Sequence, residues 1–175
     1  LSQVTIDPSA IRAIPPTLRE TIHPFAVVLT QDCDLEQDFR VRFPEAKPSD
    51  KLIPGVLFCE VATAEELFGI IRQTNKKLWD RIKISKDERY HFLQKVDPSS
   101  DLLNEGLPEL AIDFKRYFTI PTDEVYRRIE VGEAKRRCVL VSPYLEHLSS
   151  RFAYFLSRVA LPEDHFSEPG GARQG

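Results

Sequence analysis

Phe25-Ala26-Val27-Val28-Leu29-Thr30, running straight into Gln31-Asp32-Cys33-Asp34, is the stretch on which the reading of the fold turns. Its apolar, β-branched residues do not alternate with polar ones, the pattern of a strand covered on both faces. Outward from it, Val56–Val61 reads as a second strand. Arg89–Gln94 and Leu110–Ile120 alternate as strands do, the latter with a bulge near Arg116, and Cys138–Val141 is a fifth candidate. Thr63 and Glu66 form a capping box before a stripe of Leu67, Ile70, Ile71, Thr74, Leu78 and Ile82, which predicts one long helix with a basic outer face. Thr122 is expected to cap a short helix carrying Val125 and Ile129. Ser142 is expected to cap the last helix, with Pro143 in its first turn. That helix places Leu145, Leu148, Phe152, Phe155, Leu156 and Val159 at helical spacing, a stripe that must cover a hydrophobic surface. Strands and helices do not alternate regularly, so the class is α+β rather than doubly wound α/β.

The 175 residues suffice for one domain with its own core; 42% are hydrophobic, with 11 Phe and 5 Tyr to fill it. The expected organisation is an N-terminal arm over 1–24, one domain over 25–162 and a disordered tail over 163–175. A net charge of -3 and a pI of about 5.9 give no overall positive field, so a nucleic-acid role would need a local patch. No apolar run is long enough to span a bilayer, and LSQVTIDPSAIRAIPP lacks a basic region followed by an apolar one; the reading is cytoplasmic, with no membrane contact. Three widely spaced cysteines read as thiols.

Gln31, Asp32 and Asp34 are the first candidate ligand-binding residues, because polar groups at the end of a buried strand must be satisfied. Either the carboxylates cap a turn and Cys33 is a small core residue, or the strand end lines a pocket. Flanking acids disfavour a Cys33 thiolate, so Cys33 is expected to be buried and unreactive. The run Asp32, Asp34, Glu36, Asp38 begins like a calcium loop, but Gln37 stands at the glycine position and Phe43 at the glutamate position, which excludes it. Further candidates are His91 and Asp113, on other strands and able to join Asp32 and Asp34, and the cations Arg116 and Arg151. The other three histidines are placed less well: His23 precedes a proline, His147 lies on a helix and His165 in the tail. Basic residues gather at Arg72–Lys83, at Arg127–Arg137 and at Arg151 with Arg158; they form either solvated faces or, if they converge, a phosphate-contacting groove beside Trp79 and Tyr90. The pattern implies no cofactor and assigns no catalytic residues, which leaves the enzyme question open.

Three segments, AVVLTQDCDL (26–35), IDFKRYFTI (112–120) and RRCVLVSPYLEHLSSRFAYFLSRVALP (136–162), are together similar to a group of bacterial proteins with a Ser/Thr-Gln-x-Cys-Asp signature after a buried strand. Through that group the chain resembles the SH3-like barrel of the MazF/PemK toxins, over most of Phe25 to Pro162. The resemblance implies a small, partly open antiparallel barrel or curled sheet, here with a long inserted helix and a packed C-terminal helix. It also implies a homodimer, a groove for a protein partner or single-stranded RNA, and a toxin-like or defence-like setting. The toxins' Gly-Asp-Ile/Val strand motif is missing from this chain, so their cleavage residues are not carried over. The leading expectation is a binding module. The alternatives are a MazF/PemK-like endoribonuclease and a magnesium-dependent phosphohydrolase using the Asp32-x-Asp34 pair.

Overall fold

The computed structural model describes residues 21–43, 50–72 and 76–158. The tail, Val159 and nearly all of the N-terminal arm lie outside the described residues. In chain order the elements are β1 (Phe25–Val28), α1 (Asp32–Arg42), β2 (Gly55–Thr63), α2 (Ala64–Arg72), α3 (Lys76–Lys83), β3 (Tyr90–Leu93), β4 (Leu110–Pro121), α4 (Thr122–Glu130) and α5 (Tyr144–Ser157), with a short 3₁₀ turn at Pro98–Ser100. The class is α+β. The four strands form one antiparallel sheet in the order β1-β2-β4-β3, which is not closed.

Register decides which residues share a face, because directly paired residues of antiparallel strands point the same way. Val61 and His91 both pair with Ile112, and this face carries the larger core, in which Cys59, Phe114 and Ile112 meet Leu148, Phe152 and Phe155 of α5. Ala62 and Phe92 both pair with Ala111. On that opposite face Ala111 and Tyr90 pack against Leu67 and Ile71 of α2 and Ile82 of α3. The sheet is therefore lined by helices on both sides; of the stripe read on the last helix, Leu148, Phe152 and Phe155 cover it as expected, whereas Leu156 is exposed.

Between Cys59 paired with Tyr117 and Val61 paired with Ile112, β2 spends only Glu60 while β4 spends Asp113–Arg116. This is the bulge expected near Arg116. It tucks Phe114 fully into the core, and the Cys59 thiol donates to the Asp113 carbonyl at 3.0 Å.

Several expectations need correction. β1 is an edge strand with alternating exposure rather than one buried on both faces, since among the described residues it pairs with β2 alone. The long helix is two helices. Phe68 and Trp79 lie with ring centroids 5.2 Å apart, whereas eleven residues of straight helix would separate them by roughly 16 Å. The capping box does hold: the Thr63 amide donates to Glu66 at 3.0 Å, and the Glu66 amide donates to the Thr63 hydroxyl at 3.2 Å. Cys138–Val141 pairs with no strand among the described residues. Thr122 is no cap: it is buried in the first turn of α4, and its hydroxyl donates to the Ile53 carbonyl at 2.8 Å. Ser142 is not the cap either: the N-cap residue of α5 is Pro143, with no side-chain cap, and the Val141 carbonyl accepts from Tyr144 and Leu145 at 2.8 and 3.3 Å.

Candidate functional site: a cleft beside Arg151

The seven candidate residues fall in three places. Gln31, Asp32 and Asp34 do not line a pocket at a strand end; they sit exposed on the N-terminal turn of α1. Gln31 is the N-cap residue, and its carbonyl accepts from the Asp34 and Leu35 amides at 3.1 and 3.2 Å. The two carboxylates complement the helix dipole there. Cys33 is exposed too, against the expectation that it is buried. The strand end is satisfied by other means: Leu29 donates to Leu57 at 2.8 Å, and Leu57 donates to the Thr30 hydroxyl at 2.7 Å.

Asp113 and Arg116 lie together in the bulge. Arg89 grips Asp113 with two bonds of 2.8 and 2.6 Å, while Arg116 bonds Glu60 at 2.8 Å and approaches Asp113 at 3.6 Å. Every charge in this group has a partner, so it ties β4 to β2 and to the start of β3 and leaves no open ligand position. Among the described residues no group of three or more His, Cys, Asp or Glu is arranged to hold a metal ion.

His91 and Arg151 meet across the boundary between β3 and α5. An arginine only donates, so the 3.0 Å contact from its NH1 makes His91 Nδ1 the acceptor and leaves the ring proton on Nε2. Burial, then the Arg151 cation, then the neighbouring His147 pull the His91 pKa down to about 4. The other terminal nitrogen of Arg151 donates to the carbonyls of Asp87 and of Tyr90, the latter at 3.0 Å. Burial also lowers the pKa of Arg151, and the charge of Asp87 opposes that shift. Among the described residues no carboxylate comes within ion-pair distance of this guanidinium. It is a half-buried cation held by neutral acceptors alone.

The segment that meets Arg151 is built by the end of α3. Ser85 donates to Ile82 and Lys86 to Arg81, both at 2.9 Å, the pattern of a Schellman terminus. The reversal puts Ser85 in the left-handed region with φ of 55°, where glycine is the usual occupant. Asp87 then turns the chain into β3 by accepting from the Arg89 and Tyr90 amides at 2.9 and 3.0 Å. Between this turn and α5 opens a cleft of about 250 Å³ lined by Ser85, Lys86, Asp87, Glu88, Arg151 and Tyr154. Sequence reasoning found Arg151 but not its surroundings; the polar run Ser85–Glu88 between a helix and a strand was the available signal.

Among the described residues, several cations of the basic segments are paired within the fold. Arg127 and Arg128 bond Glu124, Arg137 grips the buried Asp101 at 2.8 and 2.6 Å, and Arg158 faces Glu88 at 3.4 Å. Tyr90 is in the core, with Trp79 packed against it. No protein family, curated protein or solved structure matches the chain.

Proposed function

We propose that this domain is a binding module that recognises a carboxylate of a protein partner in the cleft between Ser85–Glu88 and α5. The observation that carries the reading is Arg151, a guanidinium at the cleft wall with no carboxylate of its own among the described residues. Tyr154, 58% exposed, stands one helical turn further on, and Tyr and Arg are the side chains on which protein interfaces most often depend. A protein partner is favoured over RNA because Asp87 and Glu88 line the same cleft, and because Arg127, Arg128 and Arg137 elsewhere are paired with acids of the fold. Within this proposal the open sheet is a distant, partly open version of the SH3-like barrel, working in a toxin-like or defence-like setting.

The test is a nitrogen-15 amide titration of the whole chain with three probes: an acetyl-capped hexapeptide alternating Val and Glu with a free C-terminus, inorganic phosphate, and a uridine hexanucleotide. The peptide should shift the amides of Ser85–Glu88 and Arg151–Tyr154 saturably, and Lys86→Glu and Tyr154→Ala should each weaken it several-fold. Tighter, salt-sensitive binding of the hexanucleotide at the same amides would replace the reading with an RNA-binding one. Silence from the peptide would end it.

A further inference from the structure

Among the described residues, the outer edge of β3, beside this cleft, is left partly unpaired. In an antiparallel ladder the residues of one strand alternate between bonding inward to the neighbour and pointing their amide and carbonyl outward. The Phe114 amide donates to the Arg89 carbonyl at 2.9 Å, so with Tyr90 paired to Asp113 the residues directed toward β4 are Arg89, His91 and Leu93. Tyr90 and Phe92 then face outward, and two side chains agree with that phase. The Tyr90 amide donates to Asp87 at 3.0 Å, and the Tyr90 carbonyl accepts from Arg151 at 3.0 Å. Asp87 and Arg151 thus close the first outward position of this edge. The next position, Phe92, has no backbone hydrogen bond on that side among the described residues.

Resting on the proposed carboxylate-binding role of the cleft, we infer that the partner enters as a C-terminal strand that pairs antiparallel with β3 at Phe92 and places its terminal carboxylate at Arg151. Antiparallel pairing continues the pattern of the whole sheet and fixes the polarity. A chain running opposite to β3 heads toward Tyr90 at its own C-terminal end, and two residues of strand advance about 7 Å, the distance from Phe92 to the level of Tyr90. The backbone supplies the pairing, and a guanidinium with no ion-pair partner among the described residues supplies the charge that selects a chain end.

The experiment uses the Val/Glu hexapeptide, its C-terminally amidated form, and a scan in which each peptide bond in turn is N-methylated. Amidation should weaken binding tenfold or more although the Glu side chains remain. N-methylation should weaken it at the amide of the third residue from the peptide's C-terminus, the one that meets the Phe92 carbonyl, and at no other peptide bond. The Phe92 amide should shift and exchange at least tenfold more slowly when the peptide is bound. If the cleft amides respond but amidation is harmless, the N-methyl scan is flat and Phe92 is unaffected, strand addition is refuted while the carboxylate cleft stands. If no probe peptide binds, both readings fall together.

Discussion

Asp38 is the residue whose environment differs most from what its neighbours in sequence would indicate. It is fully buried, accepts from Arg42 at 2.9 and 2.6 Å and from the Ile53 amide at 2.8 Å, and meets the Tyr126 hydroxyl at 3.2 Å. Burial alone would raise its pKa, but these donors and the Arg42 charge hold it below the usual carboxylate range. Asp38→Ala should therefore destabilise the fold by about 3 kcal/mol in urea titrations, because it leaves the Ile53 amide and the Tyr126 hydroxyl without this acceptor and Arg42 with only the exposed Asp123 as an ion-pair partner. Asp38→Asn, which keeps an acceptor for Ile53, should cost about 1–2 kcal/mol. In the sequence Asp38 is the last of four alternating acids, and nothing local separates it from Asp32 and Asp34. The distinction arises from Ile53 and Tyr126, which are distant in the chain. Cys33 follows the same logic: its acidic flank said nothing about exposure. Maleimide on the native protein should modify Cys33 and Cys138 and spare Cys59, whose thiol is buried and pushed up to about 12; peptide mass mapping reads the result directly.

Among the elements, α5 was the most legible, because its apolar residues repeat over several turns and one stripe suffices to define a covered face. Phe152→Ala, at a site 8% exposed and against Phe114, should cost about 3–5 kcal/mol. Leu156→Ala on the same helix should stay within about 0.5 kcal/mol, since Leu156 is 52% exposed and lies off the buried stripe. Equal losses from the two in thermal melts would contradict the orientation of the helix. The bulge was also legible, as a break in the alternation of β4. By contrast, the division between α2 and α3 was hidden by a hydrophobic period that continues across it. Cys138–Val141 has strand-like composition without a partner, and a partner is what makes a strand. The candidate cleft was hardest to read. Its wall is a helix terminus joined to a strand edge, and only folding sets Arg151 against the carbonyls of Asp87 and Tyr90.

For the molecule as a whole, His91 links stability to pH. Folding suppresses its protonation, so the unfolded chain takes up a proton near pH 6.5 that the folded chain accepts only near pH 4. Stability from this source is complete above about pH 6.5 and is lost as the pH falls toward 4, by about 3 kcal/mol for the full interval. The acids with lowered pKa, Asp38, Glu66, Asp101 and Glu124, add a further loss as the pH falls through the ordinary carboxylate range and below it. Urea midpoints measured between pH 7 and 4 should fall steeply, and His91→Gln should flatten that slope even if it lowers the plateau; an unchanged slope would remove His91 as the cause. The strand order has another consequence, for the ribosome rather than the folded chain. β2 lies between β1 and β4, and β4 is made long after both β1 and β2. As the polypeptide emerges, β1 and β2 can form a ribbon, yet the inner edge of β2, with Val56, Cys59 and Val61, must wait for Leu110–Pro121 to be translated. A nascent chain stalled before that point carries an unpaired apolar strand edge, the feature through which incomplete chains associate with one another.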